Sequence, residues 1–297
     1  LMGRLYVAAW LLAPRTMTLI ENVPSVGPGA YAGRNFHFGI REHAMCAMLN
    51  GMMLHGGFRV FGATFFVFFD YCRPSVRLAS IMKLPVIYVF THDSFYVGED
   101  GPTHEPVEQI AALRCIPGVT TIRPSDPTET AAAWMAALKN KQGPTALLLT
   151  RHNLAVVDRQ QYPAAANLEK GAYTLWQSGQ GTPDVALLAS GSEVEVALKA
   201  GKLLAGECNV RVVSMPSWEL FERQPEAYRR DVIPPACKVK VAVEAGVSMG
   251  WEKYVGEKGG MLCMNQFGQS GPFKVLAEKF GFTPENLVKL VRRMRSA

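Results

Sequence analysis

Along this chain the spacing of apolar and polar positions switches repeatedly between that of a buried strand and that of a helix. In the first half, residues 35–39, 59–64, 85–92, 119–123 and 145–150 are short apolar or β-branched runs and are predicted as strands. The run at 85–92, Pro-Val-Ile-Tyr-Val-Phe-Thr-His, is apolar at almost every position, as in the central strand of a parallel sheet. Between these runs, 42–54, 65–84 and 105–115 carry helical patterns, the second made irregular early by Pro74. Asp126-Pro127-Thr128-Glu129 supplies an N-cap, a proline at the first helical position and a capping Glu, so a fourth helix starts there. From about Asn153 to Thr182 the pattern lapses into Gln, Pro, Ala and Gly, which reads as a connection. The alternation then restarts with strands at 184–189, 210–215 and 239–244. Helices are predicted at 192–204, around 219–230, at 272–280 and from near Thr283 to the end. Strands alternating with helices predict an α/β fold of two three-layer domains with mainly parallel sheets: residues 1–155, a connection at 156–181, and residues 182–297.

One helix is unusual. Residues 44–54 carry no charge, so the helix at 42–54 is expected to be buried all round. Glu42 stands at its first turn, where the helix dipole favours a carboxylate but the apolar surroundings favour its protonated form. A carboxyl held in that balance suits acid/base catalysis. The same residues also read as an ordinary N-terminal Glu paired with Arg41 or His43, and from this stretch alone both readings stand.

Composition narrows the rest. With 297 residues, 48% hydrophobic and 19% charged, the chain is long enough for two cored domains. Apolar runs are interrupted well short of a bilayer's thickness, so no transmembrane helix is expected, and the opening residues 1–12 read as a first buried strand or helix. Six scattered cysteines form no CxxC pair, which argues against a zinc site or a disulfide framework and for reduced thiols in a cytoplasmic protein. The net charge of +6 is mild and partly confined to Arg292, Arg293 and Arg295. It points away from nucleic acid and leaves small anionic substrates open.

Chemistry concentrates in the loop after the 85–92 strand. Residues 92–104 hold His92, Asp93, Glu99, Asp100 and His104 with two glycines, where ligands bind in parallel sheets. No His or Cys there has metal-ligand spacing, so proton transfer and hydrogen bonding are the expected roles, with no metal site. Upstream, Thr64-Phe65-Phe66-Val67-Phe68-Phe69-Asp70-Tyr71 reads equally as helix core or as a stacking wall for a flat ring. Gly191-Ser192-Glu193 is either a plain N-cap or an anion-holding turn.

Taken together, Gly39-Ile40-Arg41-Glu42-His43-Ala44-Met45, Asn50-Gly51, Thr64-Phe65, Thr91-His92-Asp93-Ser94, Gly98-Glu99-Asp100-Gly101-Pro102-Thr103-His104 and Arg123-Pro124-Ser125-Asp126 resemble transketolase in order and spacing. The resemblance continues through Gly191-Ser192-Glu193-Val194, Arg211-Val212-Val213-Ser214-Met215-Pro216, Val243-Glu244-Ala245-Gly246 and Phe267-Gly268-Gln269-Ser270, covering nearly all the chain from Met17 onward. The loop at 98–104 has the transketolase form rather than that of deoxyxylulose-phosphate synthase.

The resemblance implies thiamine-diphosphate-dependent transfer of two-carbon ketol units between sugar phosphates in the pentose phosphate pathway. It implies that Glu42 bonds N1′ of the thiamine aminopyrimidine as a catalytic acid, and that Phe65, Phe68 and Tyr71 surround that ring. His104, also catalytic, and Asp100 correspond to contacts with the sugar hydroxyls, and His92 and Arg151 to donors to the substrate phosphate. The domains correspond to the family's pyrimidine-binding domain, N-terminally truncated, and its C-terminal domain. The diphosphate-binding domain, through which Mg or Ca would be held, would precede residue 1. The chain is therefore expected to be a fragment or one subunit of a split enzyme, a homodimer or the partner of a diphosphate-binding subunit, and inactive alone. The alternative is a non-catalytic homologue acting as a dimerising scaffold, which the departures at 7–16 favour: Leu11 stands where the family has Asp, and Arg15 where it has Ser. Tyr96 in place of a common Gly and His152 in place of a common Gln are further departures.

Overall fold

The computed structural model describes residues 4–9 as backbone and residues 16–296 in full. Apolar runs of the first half become six strands: β1 (Arg4–Ala9), β2 (Asn35–His37), β3 (Phe58–Phe65), β4 (Ile87–Thr91), β5 (Thr120–Ile122) and β6 (Thr145–Leu149). All their pairings are parallel, in the order β2-β1-β3-β4-β6-β5. β4, whose five residues are all buried, lies inside the sheet, as its unbroken apolar run requires. Helices α1 (Glu42–His55), α2 (Phe69–Ile81) and α3 (Gln109–Arg114) cover one face, burying Met45, Leu49, Phe69, Val76 and Leu113 against Tyr88 and Phe90. α4 (Pro127–Lys139) covers the other, packing Ala133 and Ala137 onto Val89 and Leu147. Two cores on opposite faces make three layers.

The second half repeats the design with β7 (Tyr173–Gln177), β8 (Val185–Ala189), β9 (Val210–Ser214), β10 (Val239–Glu244) and β11 (Gly260–Cys263) in the order β11-β10-β8-β9-β7. Only β7 runs antiparallel, against β9. α5 (Glu193–Leu204), α9 (Phe273–Phe280) and α10 (Pro284–Ser296) lie on one face. α6 (Trp218–Glu222), α7 (Glu226–Val232) and α8 (Glu252–Val255) cover the other with Phe221, Trp251 and Tyr254.

Several expectations change. The stretch read as a connection contains β7, whose alternating Tyr173, Leu175 and Gln177 suit an edge strand. The predicted helix around 219–230 is two short helices, parted where Pro225 caps the second. α1 is not buried all round. Met45, Cys46, Leu49 and Asn50 face the core, while Met48 and Leu54 are exposed, because no other part of the described chain reaches that side. Leu11 and Arg15, the departures nearest the start, lie outside the described residues.

A buried ionic network welds the two units together. Arg123, at the end of β5 and fully buried, donates through Nε to Asp93 Oδ2 (2.7 Å) and through Nη1 to Ser190 O (2.9 Å) and to Glu193. Glu193 Oε2 also accepts from Ala245 N (2.8 Å). Arg114 grips Glu244 with two nitrogens at 2.7 and 2.8 Å, and Glu244 accepts from Trp251 Nε1 (2.9 Å) and Ser190 Oγ (2.6 Å). Burial alone would lower the Arg123 guanidinium, but Asp93 and Glu193 hold it above its ordinary value. Burial likewise works against the charge of Glu244, yet the Arg114 fork keeps that carboxyl below the usual range. The turn at Gly191 has no side-chain cap and packs instead against the Arg123 guanidinium. Its Cα lies so close to Arg123 that a methyl group there would sit 2.5 Å from the guanidinium carbon. On the far side, Asp126 caps α4 by accepting from Glu129 N (2.7 Å), while the Glu129 carboxyl reaches Tyr173 OH (2.6 Å) and Ser214 Oγ (2.8 Å) in the second unit.

Candidate active site

Strand β4 ends at Thr91 and delivers His92 in a left-handed conformation (φ +60°), rare for a residue with a side chain. The ring of His92 stacks on Phe65 at 3.6 Å between centroids, and its Nδ1 lies 3.0 Å from Thr91 Oγ1. The next residue explains the strain, because Asp93 is pulled back into the interior by Arg123. The loop then makes a 3₁₀ turn at Phe95–Val97 and a tight turn in which His104 N donates to Gly101 O (3.0 Å).

The residues singled out by sequence fall into two neighbouring cavities joined by a row of rings. The first cavity, about 600 Å³, is lined by Thr16, Met17, Thr91, His92, Asp100, Leu149, Thr150 and Arg151. It sits beyond the carboxyl ends of β4 and β6, where parallel sheets place ligands. Here the expected phosphate donors His92 and Arg151 share walls with Asp100. Thr150, which ends the β6 stretch, was missed in the sequence, though its place at a strand terminus beside Arg151 was the available signal. The second cavity, about 570 Å³, is lined by Ile40, Arg41, Glu42, His43, Phe68 and Tyr71. Glu42 is 6% exposed, at the first turn of α1. Neither neighbour neutralises it: Arg41 Nη1 donates to Phe38 O (2.7 Å), and His43 Nδ1 lies 3.2 Å from Ser75 Oγ. Among the described residues Glu42 forms no ion pair.

Phe65 does not line the second cavity. It is buried between the two, stacked on His92 on one side and 6.2 Å from Phe68 on the other. Phe68 in turn meets Tyr71 at 6.2 Å and His104 edge-on at 5.6 Å. Within the aromatic run, Phe66 and Phe69 lie in the core, while Phe68 and Tyr71 line the second cavity. His104 Nδ1 lies 2.9 Å from Thr103 Oγ1, leaving the ring half-buried beside Phe68.

Tyr96 and His152 contact one another, with centroids 4.6 Å apart, and Phe273 of α9 stacks on His152 at 5.0 Å. Burial pushes the His152 imidazole below its ordinary value, so it stays neutral near pH 7. His152 faces a cavity between the units, whereas Arg151 faces the first cavity. Tyr96→Ala and His152→Ala should therefore be non-additive. In thermal unfolding a double-mutant cycle should show a coupling of about 0.5–1.5 kcal/mol, and strict additivity would separate the two substitutions.

Among the described residues no group of three His, Cys, Asp or Glu side chains is placed to hold a metal, and no helix is long and apolar enough to cross a membrane. Residues 12–156 match the family model "Transketolase, pyrimidine binding domain", and residues 171–283 match "Transketolase-like TK C-terminal domain". A transketolase of Geobacillus stearothermophilus is 50% identical over 284 residues, 95% of this chain and 42% of that protein. The solved transketolase of Leishmania mexicana superposes with a TM-score of 0.92 at 45% identity, covering 98% of this chain and 42% of that one. A solved split gene transketolase, described as an inactive β4 tetramer, superposes with a TM-score of 0.76 over 99% of this chain and 92% of that one. At 23% identity it shows a shared fold alone. The chain spans less than half the length of the curated relatives it matches.

Proposed function

Because the chain belongs to the transketolase family, whose pyrimidine-binding and C-terminal domains it carries, we propose that it supplies half of a site for ketol transfer between sugar phosphates. The reaction would depend on thiamine diphosphate and serve the pentose phosphate pathway in the cytoplasm. The observation that carries this reading is the pairing of cavities: Glu42, Phe68 and Tyr71 around one, His92, Asp100 and Arg151 around the other, with Phe65 and His104 at their junction.

An aminopyrimidine is a flat ring with hydrogen-bonding groups at its edge. The cavity of about 570 Å³ fits it, with aromatic faces from Phe68 and Tyr71 and a nearly buried carboxyl from Glu42. When bound, thiamine diphosphate supplies an electron sink for breaking and making the carbon–carbon bond beside a ketone. Glu42 is assigned to proton exchange at the ring edge, for which it is available because it forms no ion pair among the described residues. Asp100 and His104 orient the sugar hydroxyls, and the Arg151 guanidinium with the His92 ring holds the phosphate at the far end of the first cavity. The diphosphate and its Mg or Ca are assigned to the complementary diphosphate-binding domain. The exposed Ile40 and Tyr71 beside Glu42, with Met48 and Leu54 exposed further along α1, support a surface completed by that domain or by a second copy of the chain.

The test is a ketol-transfer assay of residues 1–297 alone and mixed with a transketolase diphosphate-binding domain, alongside calorimetry with thiamine diphosphate and magnesium. The expected result is weak cofactor binding and no turnover alone, with turnover on mixing. Silence in the mixture, with dimerisation intact, would instead support the scaffold reading. In the active mixture, Arg151→Ala should raise KM for phosphorylated donors roughly tenfold or more, while KM for hydroxypyruvate changes little. Equal effects on both donors would assign Arg151 to structure.

A further inference from the structure

Glu105 directly follows the loop that carries Asp100 and His104, and it is 2% exposed. Neither carboxyl oxygen completes a hydrogen bond of good geometry, although the amides of Gly98 and Gln269 face the group and favour its charged form. The reason for its burial lies in the second unit. The segment after β11 crosses over the loop, and Gly268 lies so near that a methyl group there would be 1.6 Å from Glu105 Oε2. Beside this contact Ser270 Oγ donates to Glu99 O (2.7 Å), and Gly101 packs on Ser270. The loop that bears two of the expected substrate contacts is therefore pinned to the second unit at two neighbouring points. One of them is a carboxyl that forms no ion pair among the described residues.

We propose that Glu105 is a positioning residue: its carboxyl, enclosed by Gly98 and Gly268, keeps residues 98–104 docked on the second unit, so that Asp100 lines the first cavity and His104 meets Phe68. The charged groups facing it are few. On its own loop stands Asp100, a like charge, and His104 adjoins it with Nδ1 turned to Thr103. The opposing segment offers Gly268, Gln269 and Ser270, none ionisable, and Lys279 of α9 is engaged by Gln269 Oε1. Burial, reinforced by Asp100, pushes the Glu105 carboxyl up to about 7, against the two facing amides. The sign follows. Docking binds the proton more tightly than the released loop does, whose carboxyl has the ordinary value of 4.5. The clamp therefore contributes fully below that ordinary value, and its contribution is lost as pH rises through about 7. Gln269 and Ser270 are exposed, so the cover over the carboxyl is thin and can open without unfolding either sheet.

The effect on catalysis rests on the proposed function, but the clamp itself does not, and the decisive measurement needs no turnover. Amide hydrogen exchange of residues 98–104 in the 297-residue chain, corrected for intrinsic rates, is followed from about pH 5.5 to about pH 8.5. In the wild type, protection of this loop should fall by about tenfold on the scale of one pKa unit, while β4 and β6 keep theirs. Glu105→Gln, which cannot ionise, should hold the loop's protection flat across the range. Gly268→Ala, which forces the carboxyl out of its place, should lose protection at every pH. In the enzyme completed by the diphosphate-binding domain, Glu105→Gln should also remove an alkaline fall in kcat/KM with an apparent midpoint near 7. Equal pH dependence of loop protection in wild type and Glu105→Gln would overturn the proposal, whatever the assay of turnover shows.

Discussion

Arg123→Met is expected to destabilise the protein by about 3–5 kcal/mol, the usual penalty for removing one partner of a buried ion pair. The substitution keeps the bulk of the side-chain stem but leaves Asp93 and Glu193, at 1% and 0% exposure, without their counter-charge. It also leaves Ser190 O without its donor. Burial already pushes the Glu193 carboxyl up against the pull of Arg123, so losing the guanidinium should make Glu193 take up a proton. The melting midpoint should drop by roughly 10 °C, and Arg123→Lys should recover only part of it, because one ammonium cannot reproduce the fork. Because Asp93 anchors the turn that presents His92, the proposed binding of sugar phosphate should weaken along with stability. A midpoint within about 1 °C of wild type would remove the network from the account of how the units are joined.

Glu42→Ala, in the enzyme completed by the diphosphate-binding domain, is expected to lower turnover at least about a hundredfold, the scale of a lost acid/base group. The expectation rests on three facts: the carboxyl lines the aromatic cavity, it is nearly buried, and its two candidate partners are engaged elsewhere. Glu42→Gln keeps the shape and a donor but cannot exchange a proton in the same way, so it should lose nearly as much. Stability should change little, since Glu42 forms no ion pair among the described residues. Near-normal turnover in either variant would return Glu42 to the role of an ordinary residue at a helix start.

The sequence showed the sheets clearly because their strands are short, apolar and β-branched, and a buried parallel strand has few other ways to look. β4 and β10 fall within a residue or two of where the pattern placed them. β7 was hidden since an edge strand with one open face carries mixed residues, and Tyr173-Thr-Leu-Trp-Gln lies in a stretch dominated by turn formers. β11, Gly260-Met-Leu-Cys, is too short for its period to show. The exposed side of α1 could not be read, because an apolar sequence says a face seeks cover and not where that cover comes from. For the candidate site, individual residues were legible through the resemblance, but their grouping was not. Phe65 and Phe68 are three positions apart, yet one lies buried beneath His92 and the other forms the wall beside Glu42. The motifs Arg123-Pro124-Ser125-Asp126, Gly191-Ser192-Glu193 and Val243-Glu244-Ala245 were specific but mute. The structure gives them one task, the joining of two units, which no single stretch could reveal.

The Arg123 node also bears on the order in which the chain folds. Its partners lie 30 residues back at Asp93 and 70 residues ahead at Glu193, and the neighbouring Arg114–Glu244 fork closes a separation of 130. Contacts of such range form late, after local helices and strands have condensed. During synthesis the first unit emerges with Arg123 already facing Asp93 but with Glu193 and Ser190 still unmade. The His92 turn, anchored through Asp93 within the first unit, therefore gains its remaining support, Ser190 and Glu193 on the same guanidinium, only when the second unit docks. The pocket is then fully braced only once both units are in place, which ties its shape to the folding of the whole chain.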